Sequence, residues 1–148
     1  MTAEVVATLE GRATVMHGRC LSYGEGITYW PIVEMLRGAA GIADGDDAEV
    51  TMAKLAKLAE GEDDAHLIAA QLARVTGAVS GVAASDEIFW AVRKLFEATA
   101  RRRALVVVVD DIHWAEPTLL DLLDHVVEWT REAPMLLLCI ARPELLDR

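Results

Sequence analysis

The chain has 148 residues, of which 53% are hydrophobic, and its formal net charge is −10 at pH 7. This length fits one ordinary domain with a sizeable core, and the composition is typical of a globular domain. The negative charge argues against a general nucleic-acid-binding protein, because contacts with phosphates need clustered Lys and Arg. Met1 to Glu4 lack the features of a signal peptide, and no apolar run approaches the roughly 20 residues of a membrane span. We therefore expect a cytoplasmic protein without a membrane segment.

The first half of the sequence predicts one strand followed by helices. An apolar stretch at residues 13–20 predicts the first strand, and residues 29–40 have the period of a helix. A predominantly helical segment follows at about residues 41–85. Within it, apolar positions at helical spacing predict two short helices at 48–60 and 64–76.

The second half predicts two more strands with helices before and between them. A helix is expected to begin at Ser85 or Asp86, and residues 105–109 form a continuous aliphatic run that predicts a parallel strand buried on both faces. Another helix is expected to begin near Pro117, which suits a first helical turn. The apolar run at 135–141 predicts the third strand.

Strands that alternate with helices imply right-handed crossovers and a parallel sheet. The sequence therefore predicts one α/β domain with a parallel sheet of about three strands flanked by helices. Ligands of such sheets bind beyond the carboxyl ends of the strands. Asp110 and Asp111 follow the second predicted strand, and Arg142 follows the third.

An acidic pair at this position is suited to phosphate chemistry. One aspartate, Asp110, can hold Mg²⁺ beside the phosphates of a nucleotide. We expect the adjacent carboxylate of Asp111 to point to the other side of the strand, where it can orient or deprotonate a water molecule. Paired aspartates also end a strand in receiver domains, but there the pair follows the first strand and a Lys ends a later one. The order of elements here excludes that alternative.

Residues 105–123, LVVVVDDIHWAEPTLLDLL, resemble the Walker B region of the STAND class of P-loop ATPases. These are signal-transducing members of the AAA-related group, found beside bacterial nucleotide-cyclase domains and in large LuxR-type transcription regulators. Two further segments are similar to the same family. Residues 18–32, GRCLSYGEGITYWPI, resemble the stretch after its second core strand, and residues 141–144, ARPE, resemble the end of its fourth.

The resemblance implies an ATPase-like signalling or regulatory module that uses ATP and Mg²⁺ and is attached to sensor or output domains of a parent protein. It implies that Asp110 holds Mg²⁺, that Asp111 acts in catalysis, and that Arg142 binds the terminal phosphate as a sensor. A guanidinium suits this last role because its forked donors remain charged. His113 could also sense phosphate or place a water, but a His-Trp pair after a strand more often packs under the next helix.

The sequence departs from the family pattern in one respect, because it contains no phosphate loop of the form G-x-x-x-x-G-K-S/T. We therefore expect residues 1–148 to form a single, incomplete P-loop ATPase-like domain, a partial P-loop NTPase fold that binds ATP poorly and is inactive alone. The alternative is a non-catalytic remnant or protein-interaction module that binds no nucleotide. The family's first strand would lie beside residues 135–141. Because that first strand is missing here, we expect residues 135–141 to be an open sheet edge, and we expect the chain to self-associate through this edge or through adjacent apolar surface.

Overall fold

The three predicted strands all form and lie in one parallel sheet. In the computed structural model, which describes residues 2–9, 11–24 and 27–144, the strands are β1 (Thr14–Arg19), β2 (Leu105–Asp110) and β3 (Met135–Cys139). The order across the sheet is β1-β2-β3, and both neighbouring pairs are parallel. The architecture is therefore α/β, as the sequence predicts, and is consistent with a partial P-loop NTPase fold.

The described residues form six α-helices, and five of these correspond to predicted helices. They are α1 (Thr2–Leu9), α2 (Trp30–Ala40), α3 (Ala48–Leu58), α4 (Ala65–Val75), α5 (Ser85–Arg102) and α6 (Pro117–Trp129). The predicted helical segment at 41–85 thus contains α3 and α4, which contact each other and α5. The side chain of Asp47 caps α3 by accepting a hydrogen bond from the backbone N–H of Val50 at 2.8 Å. None of the helices formed by the described residues is long and apolar enough to cross a membrane.

Most of the core lies on one face of the sheet. Met16 of β1 and Val107 of β2 are buried there against Leu36 of α2, Phe96 of α5 and Leu122 of α6. Alternate residues of a strand point to opposite faces, so β2 needs a second apolar layer. A smaller cluster provides that layer.

The smaller cluster includes helix α1, which our sequence reasoning did not predict. Val6 and Leu9 of α1 pack against Ala13, Val106 and Val108. A helix of only eight residues is marginal in isolation, and its stability comes from packing of its apolar side on the sheet. With α1 on one face and α2, α5 and α6 on the other, β2 is covered on both faces, as its continuous aliphatic run predicts.

The third strand is shorter than predicted. We expected it over residues 135–141, but regular pairing ends at Cys139. The Ile140 backbone N–H still donates to the Val109 carbonyl at 2.9 Å. The third strand ends early because β2 itself ends at Asp110, so that no extended partner strand continues beside Ala141.

Candidate functional site

The carboxyl ends of β1 and β2 place a basic and an acidic side chain next to each other. Arg19 and Asp110 are partners in the parallel register. Asp110 follows Val106 and Val108 on the face covered by α1, and it is only 8% exposed. A buried aliphatic strand therefore fixes this carboxylate at the edge of the sheet.

Asp111 does not continue the strand, and its conformation brings the two carboxylates together. Its φ is 55°, in the left-handed region that Asp tolerates better than most residues. Its backbone N–H donates to Oδ1 of Asp110 at 2.9 Å. The chain thus turns immediately after β2. Our expectation that the Asp111 carboxylate points away across an extended strand is wrong, because strand alternation ends one residue earlier.

One guanidinium reaches both carboxylates. Nη2 of Arg19 lies 3.6 Å from Oδ2 of Asp110, and Nε of Arg19 lies 3.5 Å from Oδ2 of Asp111. Sequence reasoning did not single out Arg19, although it lies in the segment that resembles the family. The available signal was its position at the end of a predicted strand, the same signal that identified Asp110 and Arg142.

A histidine adds to this ion-pair cluster. His17 is two residues before Arg19 and therefore on the same side of β1, and its Nε2 lies 3.6 Å from Oδ2 of Asp110. The backbone of β1 is also fixed at this end. The N–H of Arg19 donates to Oε1 of Glu34 in α2 at 3.1 Å, and the N–H of Cys20 donates to the carbonyl of Asp110 at 2.9 Å.

A buried thiol, that of Cys20, lies near the acidic pair. The pKa of Cys20 is raised to about 11, first by burial and then by electrostatic interaction with Asp111, Cys139, Asp110 and Glu34. The thiol therefore stays protonated at neutral pH and is a poor nucleophile. Burial is the largest cause of this pKa shift, and the carboxylates of Asp111 and Asp110 act in the same direction.

Arg142 lies at the same end of the sheet, one strand further on. Its backbone N–H donates to Nδ1 of His113 at 3.4 Å, and the N–H of Ile112 donates to the carbonyl of Ile140 at 2.9 Å. These bonds tie the turn after β2 to the segment after β3. Across the described residues, no ion pair joins the exposed guanidinium of Arg142 to Asp110 or Asp111.

Trp114 differs from the packing that we expected for the His-Trp pair, whereas His113 is half-buried. They form a short 3-10 turn over Ile112–Trp114, with ring centroids 5.2 Å apart. Trp114 is 44% exposed, so it does not pack under α6. Nε2 of His113 is buried without a hydrogen-bond partner among the described residues. The turn follows directly on Asp111, whose backbone is in the left-handed conformation.

The donor chemistry of the acidic pair fits Mg²⁺. This ion is usually held by one or two carboxylates, together with waters and phosphate oxygens. Two carboxylates meet here, and their Oδ2 atoms face cationic groups at distances longer than a charge-assisted hydrogen bond. No third His, Cys, Asp or Glu of the described part of the chain completes a metal-binding group. Two carboxylates are within the number that a Mg²⁺ site usually takes from a protein.

Comparison with known proteins agrees with this fold. A family model described as AAA ATPase domain matches residues 1–138, a range that contains Arg19, Asp110 and Asp111 and ends before Arg142. An uncharacterized protein of Rhizobium meliloti (strain 1021) is 33% identical over 78 residues, which are 53% of this chain and 8% of that protein. The matched segment is thus a small part of that relative. No solved structure matches the chain.

Proposed function

Because the chain belongs to the AAA ATPase domain family, whose members generally use ATP and Mg²⁺, we propose that it is an ATPase-like signalling or regulatory module of the STAND class. One observation carries this proposal. Asp110 and Asp111 meet at the carboxyl end of a strand that is buried on both faces, which is where α/β sheets bind their ligands. As part of a larger protein, the module would pass a signal between sensor and output domains.

In this proposal each polar side chain that follows β2 or β3 has a separate role. Asp110 would hold Mg²⁺, which supplies positive charge beside the phosphates when it is bound. Asp111 would orient a water or accept its proton, since a carboxylate held rigidly at hydrogen-bond distance can act as a general base. Arg142 would donate to the terminal phosphate with its charged fork of N–H groups. The bond from the Arg142 backbone to His113 would hold this arginine near the acidic pair.

The alternative is a protein-interaction module that binds no nucleotide, and two observations favour it. The 148 residues contain no phosphate loop, and the three lysines lie inside α3 and α5 rather than after glycines. Without that loop a nucleotide loses the backbone N–H groups that cradle its phosphates. In addition, Arg19 already neutralises much of the acidic charge. One positive charge therefore balances part of the charge of the two carboxylates without a ligand.

A titration with a fluorescent ATP analogue, with and without Mg²⁺, separates the two functions. The sharpest variant is Asp110→Asn, which keeps the shape of the side chain and removes its charge. The matched control is Asp121→Asn, at an exposed position of α6. Magnesium-dependent micromolar binding that is lost only in Asp110→Asn supports the ATPase-like module. Absence of binding up to millimolar nucleotide contradicts it and favours the interaction module.

We also propose that the chain self-associates through β3. Within the described residues β3 is an outer strand, paired on one side with β2 only. Leu136 of this strand is 55% exposed, and an apolar edge strand with unpaired backbone groups invites pairing with another chain. The variant Leu136→Lys places a charge on this edge and should lower the average mass in sedimentation equilibrium. A wild-type chain that stays monomeric across the micromolar range contradicts the proposal.

A further inference from the structure

We infer that Arg19 is a built-in counter-ion of the acidic pair, which must leave the carboxylates before Mg²⁺ binds and thereby sets the magnesium affinity of the site. This inference rests on the proposed function, because it concerns the same site. It assigns a role to a residue that the ATPase-like proposal leaves without one. It also explains how two adjacent carboxylates, one of them almost buried, are tolerated in the absence of metal.

The first step is the charge balance at the end of β2. Asp110 is 8% exposed, and an ionised carboxylate removed from water is costly unless it is paired. Oδ1 of Asp110 accepts the hydrogen bond from the N–H of Asp111, while its Oδ2 faces Arg19. The same guanidinium lies beside the second carboxylate. One positive charge is therefore shared by two negative ones.

The second step is that the backbone of Arg19 is fixed while its guanidinium is exposed to solvent. Gly18 contacts the backbone of Pro31 directly, and the N–H of Arg19 is bonded to Glu34, so the Cα position is determined by α2. The side chain, however, is 58% exposed. Its two ion pairs are longer than hydrogen bonds, so the guanidinium is held less tightly than a directly hydrogen-bonded one. Arg19 can thus exchange between the carboxylates and the solvent.

The third step is competition. Mg²⁺ binds carboxylate oxygens at roughly 2.1 Å, and a guanidinium about 3.5 Å from the same oxygens would lie close to a divalent cation. The two cations therefore exclude each other from the shared Oδ2 atoms. If only a fraction of the molecules have Arg19 away from the carboxylates, the apparent affinity for Mg²⁺ is reduced in proportion to that fraction. Removing the Arg19 charge should consequently tighten Mg²⁺ binding by about threefold to tenfold, since long ion pairs made by a largely exposed guanidinium are modest in strength.

The test is a titration with MgCl₂ alone, without nucleotide, at constant ionic strength and at a single pH. Binding is followed by two-dimensional NMR at the amide of Asp111, which is bonded to Asp110. The variants are Arg19→Gln, which removes the charge, and Arg19→Lys, which keeps it. Arg131→Gln is the matched control, because it removes the same charge from an exposed residue after α6.

The expected result is about threefold to tenfold tighter binding in Arg19→Gln, with Arg19→Lys and Arg131→Gln within about twofold of the wild type. The melting temperature of Arg19→Gln should also fall below that of the wild type without Mg²⁺ and recover when Mg²⁺ is added. Equal or weaker Mg²⁺ binding in Arg19→Gln overturns the inference. If the Mg²⁺ binding of the wild type is nevertheless lost in Asp110→Asn, the proposed magnesium site survives. Absence of any Mg²⁺ response in the wild type and in Arg19→Gln overturns both.

Discussion

Replacing Gly18 by Ala tests whether the contact between β1 and α2 positions the end of β1. A Cβ atom at Gly18 would lie 2.2 Å from the carbonyl oxygen of Pro31 and 2.7 Å from its carbonyl carbon and its Cα. All three are backbone atoms, so no rotation of a side chain relieves the overlap. Heavy atoms in contact normally lie about 3.5–4.0 Å apart, so β1 and α2 must separate by about 1 Å or more.

The expected cost follows from this displacement. Overpacking of a core typically costs about 1–3 kcal/mol, and the rigid backbone at Pro31 places Gly18→Ala in the upper part of that range. The lower entropy of Ala in the unfolded chain offsets about 0.4–1 kcal/mol. We therefore expect a net loss of about 2 kcal/mol. For a chain of this length the melting temperature should fall by roughly 5–10 °C.

Urea unfolding followed by circular dichroism measures this change, and Gly38→Ala is the matched control. Gly38 lies within α2, and a Cβ there meets no atom within 4 Å. Because Ala is the better helix former, this second substitution should stabilise the chain by about 0.5–1 kcal/mol. The same chemical change is thus expected to have opposite signs at the two positions. A Gly18→Ala chain as stable as the wild type would refute the reasoning.

Three further predictions concern the core and the pH dependence of stability. Leu122→Ala, at a side chain with 0% exposure, should cost about 2–5 kcal/mol in urea unfolding, and a loss below about 1 kcal/mol would contradict the assigned core. The folded-state pKa of Cys20 is raised above its ordinary value of 9.0 to about 11. The stability that the protonated thiol contributes is therefore complete below pH 9 and is lost as the pH rises towards 11. The melting temperature of Cys20→Ala should lack this part of the decline at alkaline pH. The pKa of His125 is lowered below 6.5, first by burial and then by the charge of Arg93, whose Nε donates to Nε2 of His125 at 3.2 Å. The stability that the neutral imidazole contributes is therefore complete above pH 6.5 and is lost as the pH falls. A His125→Gln chain whose melting temperature drops between pH 7.5 and 5 as steeply as that of the wild type would contradict this.

The sequence by itself determined the element types and the fold class. Five aliphatic residues before Asp110 could only be buried on both faces, and helical spacing identified α2 to α6 with boundaries close to those observed. These predictions succeed because hydrophobic periodicity reflects burial directly, and burial is the largest favourable contribution to folding. The same logic identified Asp110 and Asp111 as a candidate site, since it placed them at the end of the central strand.

Only the tertiary structure decided how the side chains at that end meet. The pairing of Arg19 with Asp110 depends on the register between strands far apart in the sequence, and no local pattern specifies it. The left-handed conformation of Asp111 ends the alternation of β2, and it therefore brings both carboxylates to one guanidinium. Helix α1 was likewise missed, because eight residues form a helix here through contact with the sheet rather than through their own propensity. Long-range contacts of this kind are determined by the fold as a whole, whereas the local periodicity of the sequence determines only the helices and strands.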